Sequence, residues 1–161
     1  MKFKEIREAV ASEGGAFLKM QDGPNKVRIV GEPLQMWKVF KDGKATTIID
    51  VEEAKTVKDA KMRFAMYVIE RASSEVKIAE FGPSIMGQIA DLSESEEYKF
   101  DELPPYDITI TKEGAGMDTE YKVMPARTNT ALTPEEQAKV LAMPSLEEHY
   151  GKSKKSDTIP F

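Results

Sequence analysis

Turn signals recur along this chain at intervals that leave room only for short strands and brief helices. Asp22-Gly23-Pro24-Asn25, Asp42-Gly43, Ala72-Ser73-Ser74 and Glu113-Gly114-Ala115-Gly116 each punctuate an apolar or alternating run. Between them, Lys26-Val27-Arg28-Ile29-Val30 alternates basic and apolar residues, as a half-buried strand does. Residues 34–40 and 45–50 read as a hairpin across Asp42-Gly43. Residues 63–71 and 75–81 read as a second hairpin, and 106–112 with 119–124 as a third. A short strand is expected at 16–20, and a polar link at 51–61.

Helices fill the remaining places. Residues 2–11 form an amphipathic pattern with Phe3, Ile6 and Val10 on one side, broken by Ser12-Glu13-Gly14-Gly15. Pro83 opens a stretch with Ile85, Met86, Ile89 and Leu92 on one face, followed by an acidic loop over 93–105. Thr133-Pro134-Glu135-Glu136 has capping-box spacing with Pro at the first helical position. The expected organisation is an N-terminal helix over 1–15, a barrel domain over 16–126, a linker and C-terminal helix over 127–143, and a flexible tail over 144–161. The fold class is mainly β, a small barrel with an inserted helix. An OB-type barrel fits this pattern; an SH3-like barrel or another small α+β fold fits it too.

Several functions are excluded by what the chain lacks. It has no cysteine and one histidine, His149, so neither the usual nucleophile–base dyads nor a nitrogen–sulfur zinc site can be assembled. Gly114-Ala115-Gly116 lacks the third glycine of a dinucleotide fingerprint, and no phosphate loop is present. Asp50, Glu52 and Glu53 are the best hard-cation candidates, and solvation of a loop explains them more simply. No catalytic residue, metal or cofactor is expected. Without cysteines, a secretory signal or a long apolar run, a cytoplasmic setting is the simplest expectation.

Charge is distributed unevenly. The net charge is −5, yet residues 19–77 carry 12 Lys and Arg against 9 Asp and Glu. Residues 78–121 carry 2 against 11. A polyanion needs a basic surface only where it docks. Trp37-Lys38-Val39-Phe40-Lys41 interleaves two aromatics with two lysines, which suits single-stranded nucleic acid: bases stack on rings while cations track the backbone. Strand alternation places Arg63, Tyr67 and Arg71 on one face, with Phe64, Met66 and Val68 on the other, core-like face. Lys26 and Arg28 point away from Val27 and Ile29. The candidate binding residues are therefore Lys26, Arg28, Trp37, Lys38, Phe40, Lys41, Arg63, Tyr67 and Arg71.

Phe17-Leu18-Lys19 with the run from Asp22 to Ile29 resembles the opening strand pair of tailed-phage single-stranded DNA-binding proteins. The run 63–71 is similar to the central strand of that family, and 77–85 to the segment next to it in the chain. Tyr106-Asp107-Ile108-Thr109-Ile110, with Gly114, Gly116 and Asp118-Thr119-Glu120-Tyr121, resembles its closing hairpin. The likeness spans roughly residues 15–130. It implies an OB fold that coats single-stranded DNA in replication, recombination or repair. Larger members insert a zinc-binding segment between the early and central strands; residues 51–61 here hold no Cys or His.

Asp157-Thr158-Ile159-Pro160-Phe161 resembles the tail tip of bacterial single-stranded DNA-binding proteins, which docks replication and repair enzymes. That likeness implies partner binding by Asp157, Ile159, Pro160 and Phe161. The leader departs from the pattern, with Lys152, Lys154 and Lys155 in place of an acidic run. Two other functions suit the same residues: an RNA-binding OB protein, and an interaction module whose aromatics pack on a protein partner.

Overall fold

The computed structural model describes residues 2–3 and 16–150. Seven strands form one antiparallel sheet: β1 (Gly23–Ile29), β2 (Leu34–Lys41), β3 (Lys44–Ile48), β4 (Lys61–Glu70), β5 (Glu75–Phe81), β6 (Ile108–Glu113) and β7 (Glu120–Pro125). Helix α1 (Val51–Lys55) comes after β3, α2 (Pro83–Glu94) joins β5 to β6, and α3 (Pro134–Leu141) comes after β7. A last helical turn spans 146–150. The mainly β class with an inserted helix is as expected. The expected N-terminal helix lies almost wholly outside the described residues.

One long, kinked strand organises the sheet. Residues 27–29 of β1 pair with 68–70 of β4, and residues 34–38 of β2 pair with 61–65 of the same strand. Val30 donates its N–H to the Tyr67 carbonyl at 3.0 Å. Residues 31–33 bulge between the two halves, where Pro33 has no N–H to offer. A Cβ on Gly31 would lie 3.4 Å from the Tyr67 Cβ, so the backbones approach closely at the kink. Beyond it, β1 pairs with β6 and β6 with β7, while β2 pairs with β3. Asp42 and Gly43 both have positive φ, 52° and 75°, as a two-residue hairpin requires.

The other edge of β4 carries β5. The sheet is not closed into a barrel: β5 and β7 do not pair. Residues 16–18 run parallel to β5 instead, through Leu18 N–H to Ile78 O and Ile78 N–H to Ala16 O, both 2.8 Å. The strand expected at 16–20 is thus a single bridge with one β partner.

Alternation divides β4 between two layers. Met66 and Val68 face the interior with Val27, Ile29, Ala79, Phe81, Ile85, Ile89, Ile108 and Ile110, and Phe64 packs against this core. Ala65 and Ile69 face outward, but they are not left in water. Leu146 and Tyr150 bury themselves against Met36, Ala65 and Ile78, and Leu132 and Val140 pack on Val30, Ile69 and Val76. The Tyr67 hydroxyl donates to the Pro144 carbonyl at 2.7 Å, and the Tyr150 hydroxyl to Glu80 at 2.7 Å. Residues 144–150 are therefore part of the fold, correcting a tail that begins at Pro144. The reason is apolar area: the outer face of β4 and β5 is too hydrophobic to stay exposed. Among the described residues, no helix is long and apolar enough to cross a membrane.

Candidate nucleic-acid interface

The β2–β3 hairpin and the start of β4 form an arm that continues the sheet. Antiparallel register places Lys38 opposite both Lys61 and Thr47, Met36 opposite Arg63, and Phe40 opposite Ala45. Directly paired residues share a face. One face of the arm therefore carries Arg63, Lys61, Lys38 and Phe40 in succession. Phe40 is 64% exposed, a large apolar ring left in water beside cations. Lys61 is exposed and Lys38 half-buried, its Nζ 3.2 Å from Glu80. Lys41 and Lys44 are exposed and pair across the turn.

Trp37 takes the opposite face. It pairs with Ile48 on one side and Met62 on the other and is half-buried. Trp37 and Phe40 therefore do not form one stacking platform, although they lie three residues apart. A period of two sends odd and even positions to opposite sides.

Three expected binding residues are engaged by other parts of the chain, Arg28 buried and Tyr67 and Arg71 half-buried. Arg28 is only 6% exposed; it donates to the Thr130 hydroxyl at 2.9 Å and carbonyl at 2.7 Å, and lies 3.8 Å from Asp107. Arg71 donates to both Asp107 oxygens at 2.9–3.2 Å and also bonds Glu136. Tyr67 is covered by residues 144–150, and burial, with Glu148 nearby, raises its phenol pKa. Arg28 is thereby corrected as a surface group, while Tyr67 and Arg71, though engaged, keep part of their surface exposed, as Lys38 does. Lys26 stays exposed, 4.0 Å from Asp107. The partners responsible, Asp107, Thr130 and Glu136, are remote in sequence and carry no local signal of their role.

Arg63 is half-buried and has no hydrogen-bond or ion-pair partner among the described residues. Its guanidinium lies against Gly82, where an added Cβ would sit 2.1 Å from Nη1. Lys61 is missed by a sequence reading that starts β4 two residues too late; alternation back from Arg63 would have found it. Asp50 caps α1, accepting from the Glu52 N–H at 2.9 Å. The tip residues Asp157, Ile159, Pro160 and Phe161 lie outside the described residues. No family model, curated protein or solved structure matches the chain.

Proposed function

We propose that the protein binds single-stranded DNA without strong sequence preference, through the arm face built by Phe40, Lys38, Lys61 and Arg63. The observation that carries this reading is the 64% exposure of Phe40 within a row of cations on one sheet face. An exposed ring offers any base a stacking surface, and lysines spaced along the strand track phosphates without reading sequence. The connectivity supports it as well: with β3 and α1 set aside as an insertion, a long kinked strand (β1 and β2), two strands, a helix and a hairpin follow the order of an OB-type barrel, here left open between β5 and β7. On this reading the protein is of the tailed-phage type, acts in the cytoplasm during replication, recombination or repair, and performs no catalysis. Its tail tip recruits other enzymes.

Titration of dT oligomers, the equivalent RNA and duplex DNA at several salt concentrations tests the proposal. About three phosphate contacts give a slope of log K against log salt near −2, from roughly −0.7 per contact on single strands. Phe40→Ala is expected to weaken dT binding by about 1–2 kcal/mol. Equal affinity for duplex, or no salt dependence, contradicts the proposal. Preference for RNA moves it to the RNA-binding alternative.

A further inference from the structure

Residues 16–18 occupy only part of the gap that keeps the sheet from closing. Between β5 and β7, at the start of α2, lies a cavity of about 250 Å³ lined by Met20, Arg63, Phe81, Gly82, Ser84 and Tyr121, among others. We infer that this cavity is a phosphate subsite for one phosphodiester of the bound strand, with Arg63 as its ligand-binding residue and Gly82 as the residue that positions it. The inference rests on the single-strand reading and adds to it a cavity where the arm face ends at Arg63.

The chemistry starts from Arg63. A guanidinium keeps its charge in any protein environment and presents a planar fork of donors suited to phosphate oxygens. A guanidinium partly withdrawn from water gains from an anion, as Arg71 does in this molecule with Asp107 and Glu136. Arg63 meets none among the described residues. The one acid lining the cavity, Glu80, is already engaged by the Tyr150 hydroxyl at 2.7 Å and Lys38 at 3.2 Å. Among the described residues, a negative partner is what the guanidinium lacks.

Position matters as much as charge. Arg63 stands in β4 opposite the end of β5, on the same face as Lys61 and Lys38. A strand whose bases cover Phe40 and whose backbone tracks Lys38 and Lys61 reaches Arg63 next. The absence of a side chain at Gly82 lets the guanidinium lie flat along the backbone there; its φ is −84°, so the glycine serves the close approach and not a strained turn. The half-buried Met20 and Tyr121 give the cavity apolar walls, suited to a sugar or base edge beside the phosphate. At about 250 Å³ the cavity has room for one phosphate with its sugar.

The test uses the full chain and the variants Arg63→Ala, Arg63→Lys and Gly82→Ala, each first compared with wild type by thermal melting. Binding of a dT oligomer is measured over a salt series. Arg63→Ala is expected to weaken binding about tenfold and to make the salt slope shallower by about 0.7. Gly82→Ala, which displaces the guanidinium while leaving the charge, is expected to weaken binding without changing the slope as much. Arg63→Lys keeps the slope and recovers part of the affinity. Wild-type affinity and slope in both Arg63→Ala and Gly82→Ala overturn the inference while leaving the single-strand reading intact. Should wild type fail to bind the oligomer, that reading falls, and inorganic phosphate titrated against the Gly82 amide and Arg63 Nε–H resonances decides the cavity alone. Saturable shifts confined to those resonances support a free-phosphate site; absent shifts overturn it.

Discussion

Asp107 gathers three cations within 4.0 Å: Lys26 at 4.0, Arg28 at 3.8 and Arg71 at 2.9 Å. Of these, Arg28 is the most enclosed, and burial lowers its pKa while Asp107 opposes that effect. Neutralising the carboxylate would leave two guanidiniums facing each other without it. Asp107→Asn is therefore expected to cost about 2–4 kcal/mol, seen as a fall in melting temperature of roughly 5–10 °C for a chain of this size. Glu136 belongs to the same network. The Thr133 N–H, together with the Arg71 guanidinium, binds its ionised form and holds its pKa below the ordinary 4.5. A depressed carboxylate contributes stability that is complete above the unfolded value and is lost as pH falls through the folded one. Denaturant melts from pH 6 to pH 3 should show wild type losing stability below about pH 4.5 faster than Glu136→Gln, which has no such proton to gain. Parallel pH profiles contradict this account of the network. The distinction between these cations and those of the arm could not be read from the local sequence. Arg28 and Lys26 alternate identically along β1, and only the distant Asp107 and Thr130 separate a buried arginine from an exposed lysine.

At the scale of elements, local chemistry was legible and layering was not. The Asp42-Gly43 turn, the Pro83 helix start and the Thr133 capping box all appear where residue type alone places them. Each depends on neighbours within a few positions. Residues 144–150 differ, because their order depends on what they touch. Ser145, Leu146 and Tyr150 carry too little periodicity to announce a packed helix, yet the outward Met36, Ala65 and Ile78 supply the apolar surface that holds them. Their removal must uncover that surface. A chain ending at Met143 is expected to melt roughly 3–8 °C below full length, net of the entropy released when the ordered segment is lost. An unchanged melting temperature would mean that the segment adds no net stability to the sheet. Near-complete unfolding at room temperature would mean it is integral to the domain and not a layer upon it.

The molecule as a whole separates its two sheet faces by use. The interior face builds the core around Val68, Phe81, Ile89 and Ile108. The outer face is covered by α3 and residues 146–150 over β4 and β5, and left bare along the arm and on β7, where Met124 is 62% exposed. An overall charge of −5 thus coexists with a local row of cations: the acids of 78–121 lie on other elements than the arm, although Glu80 reaches it and pairs with Lys38 at 3.2 Å. The mainly β class could be read because strand alternation and turn residues act locally. Opening between β5 and β7 could not, because residues 16–18 take the β5 edge through backbone bonds that no side-chain pattern encodes. The central claim is that a single strand lies along this bare arm face. Amide and aromatic chemical-shift mapping of the full chain, titrated with a dT oligomer, tests it most directly. The account predicts the largest shifts at Phe40, Lys38, Lys61, Arg63 and Gly82, with little change around Arg28 and Arg71. Shifts centred on α3 and the Asp107 network, or none at any oligomer concentration, would contradict it.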